Sequence, residues 1–136
     1  MRAVELRIPA HPGHIRRGRH WVRQQAVARG VAPSSLRVLE LLTSEVVTNA
    51  VKYGQGDEVR VRLCVRGDVV HVGVRDENPE LPAVLDPDAV ELGGRGMRLV
   101  TSLASDWGVD AGESGGKSVW FAVPASSDAE PGARAG

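Results

Sequence analysis

Cysteine is almost missing from this chain: Cys64 is the only one in 136 residues, so no internal disulfide can form. One thiol and four scattered histidines offer no zinc-ligand spacing either. An excess of charge of one sign is also absent. Lys plus Arg is 17 and Asp plus Glu is 17, which argues against a general nucleic-acid binder with its basic stripe. No apolar run approaches the roughly 20 residues needed to span a bilayer, and Met1 to Ala10 lacks the apolar core of a secretory signal. The expectation is a cytoplasmic protein without membrane contact. Aromatics make up 4%, and Trp21, Trp107 and Trp120 are too dispersed for a base-stacking platform. His11, His14, His20 and His71 have no partnered Ser or Cys arrangement, so a nucleophilic triad is not expected.

What remains is an ordinary globular balance, 42% apolar and 25% charged, at a length that predicts one domain with one core. Val4, Leu6 and Ile8 alternate with polar neighbours, a short strand ended by Pro9. Pro12-Gly13 signals a turn, and His14 to Arg29 reads as a helix with Gly30 beyond its end. Pro33-Ser34-Ser35 opens a longer helix, with a serine available as cap, running to Tyr53 and stopping at Gly54. Leu36, Leu39, Leu42, Val46 and Ala50 recur at spacings of three and four along it. Val59, Val61, Leu63 and Val65 alternate with Arg60, Arg62, Cys64 and Arg66, and Gly67-Asp68 turns this strand into Val70, Val72 and Val74. Asp76 to Leu92 is acidic and proline-bearing and reads as a long loop. Gly93 to Gly96 leads into a short helix, Met97 to Leu103. Trp107 to Val109 and Ser118 to Val123 read as final strands.

This order predicts an α+β two-layer sandwich over residues 1–124, a mixed, mostly antiparallel sheet with helices on one face. Residues 125–136 are expected to be a disordered tail. The other sheet face would carry Arg60, Arg62, Arg66 and Trp120 and is either solvated or an interface.

Four places could carry chemistry. Glu45 and Asn49 lie one turn apart on the long helix, about 6 Å from each other, at the edge of its apolar stripe. The asparagine oxygen suits Mg²⁺, which prefers oxygen ligands, water and phosphates. A carboxylate one turn earlier could take a proton from a hydroxyl attacking a γ-phosphate. On spacing alone, two polar residues on a helix edge would look the same. Asp76, at a strand end, could accept a hydrogen bond from an exocyclic amine, or simply form a turn before Asn78-Pro79. Gly93-Gly94-Arg95-Gly96 ahead of a helix lets backbone N–H groups approach an anion, with Arg95 as a forked cation; a hinge is the plainer use. Gly115-Gly116-Lys117-Ser118 fails as a P-loop, because position 111 is not glycine and a strand follows. A hairpin turn fits it better.

In this order, the segments Glu-Leu-Leu-Thr-Ser-Glu-Val-Val-Thr-Asn-Ala-Val-Lys-Tyr-Gly (40–54), Val-Arg-Asp-Glu-Asn-Pro (74–79), Gly-Gly-Arg-Gly-Met-Arg-Leu-Val (93–100) and Gly-Lys-Ser-Val-Trp-Phe (116–121) resemble a known superfamily. It is the ATPase superfamily of DNA gyrase, heat-shock chaperones, histidine kinases and mismatch-repair proteins. Within it the chain looks most like the small anti-sigma-factor serine kinases. The resemblance spans roughly residues 5–124 and implies the Bergerat-type ATP-binding fold. It further implies Asn49 as the Mg²⁺ ligand, Glu45 as general base and Asp76 as the partner of the adenine amine. Gly94, Arg95, Gly96 and Met97 would belong to the lid over the phosphates, with Lys117 and Ser118 near the nucleotide. The larger superfamily has glycines after the aspartate, where this chain has Glu77, Asn78 and Pro79.

The implied task is an ATP- and Mg²⁺-dependent serine/threonine protein kinase with anti-sigma activity. Its partners would be a sigma factor and an anti-sigma-factor antagonist, and the open sheet face is a candidate homodimer surface. The alternatives are an ATP-dependent binding module without phosphotransfer, and an interaction protein with a vestigial nucleotide site. Glu45 favours the kinase, because a pure binding module has no evident use for a base.

Overall fold

A computed structural model describes residues 2–78, 95–112 and 115–126, with Arg95, Gly96 and Arg98 described as backbone only. The chain forms β1 (Val4–Pro9), a 3-10 turn (Pro12–His14), α1 (Ile15–Ala28), α2 (Pro33–Tyr53), β2 (Glu58–Arg66) and β3 (Val69–Asp76). Then follow α3 (Arg95–Leu103), β4 (Asp106–Ala111) and β5 (Lys117–Pro124). The strands make one five-stranded sheet in the order β1-β2-β3-β5-β4. All four pairings are antiparallel, so the mixed component of the expected sheet is not seen among the described residues.

Alternation decides the two faces, because successive strand side chains point to opposite sides. Ile8, Val59, Val61, Leu63, Val70, Val72, Val74, Val119, Phe121 and Val123 are buried on one side. There they meet Val22 and Ala26 of α1, Leu36, Leu39, Leu42, Val46, Val47 and Ala50 of α2, and Met97 and Val100 of α3 in a single core. Each fully buried Val or Leu contributes about 1.5–3 kcal/mol of transfer free energy. α2 packs against both α1 and α3 as well as the sheet, which makes it the central helix. The opposite face carries Arg60, Arg62, Cys64, His71, Arg75 and Trp120, as the alternation predicts.

Two local expectations need correction. No serine caps α2: its N-cap is Ala32, with no side-chain cap bond, and Pro33 fills the first turn. Pro33 removes one of the orphan N–H groups, the Ala32 N–H donates to the Ala125 carbonyl at 2.8 Å, and Ser35 is buried. The third helix also begins at Arg95, so Arg95 and Gly96 are its first two residues rather than part of a loop before it. The acidic segment from Pro79 to Leu92, Gly93 and Gly94 lie outside the described residues, as does the tail beyond Ser126.

Candidate functional site

Asp76 and Lys117 meet beside the C-terminal end of α2, the helix that carries Glu45 and Asn49. Glu45 and Asn49 are both half-buried, on the margin of the helix's buried stripe. At 1.5 Å per residue, Asn49 lies about 7.5 Å and Glu45 about 13 Å along the axis before Gly54. No hydrogen bond or ion pair engages either side chain among the described residues, whereas nearby Glu40 is paired with Arg23 at 2.7 Å. A half-buried carboxylate and amide, one turn apart and with unspent hydrogen-bonding capacity among the described residues, are available to a ligand.

Gly54 caps α2 against Asp76, the last residue of β3. A Cβ on Gly54 would lie 2.8 Å from Asp76 Cβ and would also strike the Ala50 carbonyl oxygen. Gly116, with φ +76, approaches from the other side, where a Cβ would fall 2.6 Å from the Asp76 carbonyl oxygen. Only glycine at both positions lets the helix end and the β4–β5 connection close on the strand end.

Asp76 is 4% exposed and Lys117 5%. They face each other across the last rung of the β3–β5 ladder, with Lys117 Nζ donating to Asp76 Oδ1 at 3.0 Å. The same ammonium donates to the Asn78 carbonyl at 3.1 Å, and the Asn78 N–H donates to Asp76 Oδ1 at 2.7 Å. Asn78 Nδ2 donates to the Tyr53 carbonyl at 2.7 Å, and the Glu77 N–H donates to the Gln55 carbonyl at 3.2 Å. Asn78, one of the residues that stands where the superfamily has glycines, thus ties β3, β5 and the end of α2 together. Both Asp76 and Lys117 were legible as candidates, but their partnership was not. The signal that could have found it is register, since the two sit at facing ends of paired strands.

The remaining candidates divide. Met97 is 1% exposed and sits in the core, a packing position that holds α3 to α2. Ser118 pairs with Arg75 and Asp110 on the open face of the sheet, opposite to Lys117, because neighbours on a strand point to opposite faces. The structure therefore does not bring Ser118 to Asp76. Gly115 and Gly116 both have positive φ, and the Gly112 N–H donates to the Gly116 carbonyl at 3.0 Å, as the hairpin reading expects.

No group of three or more His, Cys, Asp or Glu side chains that could hold a metal occurs among the described residues. The Asn49 oxygen with Glu45 nearby fits a magnesium ion that brings its own water and phosphate ligands, and does not fit a resident protein-caged metal. No described helix is long and apolar enough to cross a membrane.

Comparison with solved structures supports this architecture. The RsbU and RsbW domains of Rv1364c from Mycobacterium tuberculosis superpose with a TM-score of 0.68 at 19% identity, over 91% of this chain and 32% of that one. The histidine kinase domain of a blue-light-activated histidine kinase from Erythrobacter litoralis gives 0.54 at 26% identity, over 87% of this chain and 62% of that one. The chain thus spans less than two thirds of either neighbour. No curated protein matches it. The model of the histidine kinase-like ATPase domain matches residues 8–123, a family whose fold implies nucleotide binding, and the chain belongs to that family.

Proposed function

We propose that this protein binds Mg-ATP and transfers the γ-phosphoryl group to a serine or threonine hydroxyl of a partner protein. In this reading it acts as an anti-sigma factor whose kinase substrate is the anti-sigma-factor antagonist. The observation that carries the reading is the Glu45–Asn49 pair, without a partner among the described residues and one turn apart on a helix whose end abuts the buried Asp76. The resemblance of segments 40–54 and 93–100 to the anti-sigma-factor serine kinases supports the choice of acceptor. So does the likeness to a chain containing an RsbW domain.

Each residue has a distinct task. Asp76 accepts a hydrogen bond from the adenine amine. Asn49 offers its amide oxygen to Mg²⁺, which when bound supplies charge neutralisation on the phosphates. Gly94, Arg95 and Gly96 keep the role implied by resemblance, cradling phosphate oxygens at the N-terminal end of α3. Glu45 takes the hydroxyl proton as the serine oxygen bonds to the γ-phosphorus and the β–γ bridging bond breaks, its electron pair leaving on ADP. Positioning and charge stabilisation dominate such a transfer, so few residues are asked to do covalent work.

The experiment is a pull-down with and without Mg-ATP, then transfer from γ-labelled ATP to the recovered partner. Label on a serine or threonine is expected. Glu45→Gln should keep ATP affinity within about twofold while transfer falls about 10²–10⁴-fold, the usual worth of a general base. Asn49→Ala should lose the magnesium-dependent part of ATP affinity. Equal transfer by wild type and Glu45→Gln would remove the base assignment. Mg-ATP-dependent capture without any label would instead favour a binding module that does no phosphotransfer.

A further inference from the structure

Asp76 and Lys117 are each more than nine-tenths buried, yet neither has spent all its hydrogen bonds. Asp76 Oδ1 takes both the Lys117 ammonium and the Asn78 N–H, while Oδ2 accepts nothing among the described residues. Nor is Oδ2 one of the fully buried atoms without a partner, since Thr43 Oγ1 alone has that status among the described residues. It therefore keeps some accessible surface, although Asp76 as a whole is 4% exposed. The Lys117 ammonium carries three protons and gives two of them, to Asp76 and to the Asn78 carbonyl. A free acceptor and a free donor thus stand on two side chains fixed 3.0 Å apart.

A purely structural tie between β3 and β5 would not require a lysine. Two charges removed from water cost more than an apolar pair of similar volume, and the neighbouring rungs use Val119, Phe121 and Val123 on this face. The cost is understandable if the pair reads a ligand. Resting on the ATP-binding reading above, we propose that Lys117 is a specificity-determining residue acting with Asp76 as a two-point reader of the purine edge. Asp76 Oδ2 accepts from the 6-amino group, and the third ammonium proton of Lys117 is donated to N1. Adenine presents this donor–acceptor order. Hypoxanthine in the same pose presents its reverse, setting its O6 against the carboxylate and its N1–H against the ammonium. The ion pair also fixes the reader before the base arrives, because Gly54 lies against the Asp76 side chain and the backbone of Asn78 bonds both Asp76 Oδ1 and the Lys117 ammonium.

The test measures the affinity of wild type and Lys117→Met for ATP, for 1-deaza-ATP (which lacks the N1 acceptor) and for purine riboside triphosphate (which lacks the 6-amino group). Wild type should bind 1-deaza-ATP at least about tenfold more weakly than ATP, as expected for a lost hydrogen bond to a charged group. In Lys117→Met, ATP should weaken by a similar factor and 1-deaza-ATP should lose nothing more, while the penalty for purine riboside triphosphate persists. Lys117→Met strands a buried carboxylate, so the charge-free double variant Asp76→Asn/Lys117→Met provides a second measurement. In it, ATP and 1-deaza-ATP should bind within about twofold of each other. An N1 penalty of the same size in wild type and either variant would overturn the role of Lys117 and leave ATP binding intact. Failure of the wild type to bind ATP at all would overturn the underlying reading and this inference with it.

Discussion

Gly54 and Asp76 are in direct backbone-to-side-chain apposition: a Cβ added to Gly54 would sit 2.8 Å from Asp76 Cβ and 2.9 Å from its Cγ. The end of the long helix therefore backs the carboxylate, which Lys117 and Asn78 hold by hydrogen bonds. Gly54→Ala should cost about 1–3 kcal/mol through overpacking and weaken ATP binding with it. Gly30→Ala is the control. That glycine has φ +80 with no atom near its added methyl, so it should cost only about 1 kcal/mol of backbone strain and leave ATP affinity unchanged. Equal effects of the two on ATP affinity would show that the apposition does not matter to the site.

Thr43 presents the opposite situation, a hydroxyl with nothing to bond. Its Oγ1 is buried without a partner, in a residue 0% exposed. Replacing it by the nearly isosteric valine removes an unsatisfied polar atom and keeps the shape. Thr43→Val should raise the urea midpoint, with a gain of about 1 kcal/mol. A loss of similar size would mean that the hydroxyl finds a partner in solution.

Gly18 is the fourth residue of α1 and is buried, with Ile8 Cδ1 at 3.5 Å, Val47 Cγ2 at 3.8 Å and Val61 Cγ2 at 3.9 Å from an added methyl. Those are ordinary van der Waals separations, so alanine fits without displacing the sheet. Gly18→Ala should stabilise the fold by about 0.5–1 kcal/mol through helix propensity and a less flexible unfolded chain. Thermal melting would detect it, and destabilisation would show that α1 must approach β1 and β2 more closely than an alanine allows.

His71 gives stability a pH dependence on the open face. Burial chiefly, and then the charge of Arg66, push its pKa below the ordinary 6.5, with Asp106 opposing. The unfolded chain then takes up this proton at a higher pH than the folded one. Stability is retained above about pH 6.5 and falls as the pH drops from there towards the folded value. Wild type should therefore lose more stability than His71→Gln between about pH 7 and pH 5, with no difference in slope above pH 7. Parallel curves for the two proteins throughout would exclude this role for His71.

Along the chain, the strongest signals were those set by local periodicity. The stripe from Leu36 to Ala50 produced α2 from Pro33 to Tyr53, and the alternation from Val59 to Val74 produced the β2–β3 hairpin. Burial of one face fixes both, since shifting either pattern by a residue would turn apolar side chains into water. Local patterning also set Glu45 and Asn49 one turn apart. It placed the start of α2 at Pro33 but misjudged the cap, since the N-cap is Ala32 and no side chain caps the helix.

By itself the sequence determined the elements, their inner and outer faces and the segments that mark the family, because these depend on residues a few positions apart. Only the tertiary structure decided that Lys117 meets Asp76, 41 residues away along the chain, that Asn78 fastens both to the end of α2, and that Ser118 faces the opposite side of the sheet. Those outcomes follow from strand order and pairing register, which depend on how the whole core packs and on no local run of residues.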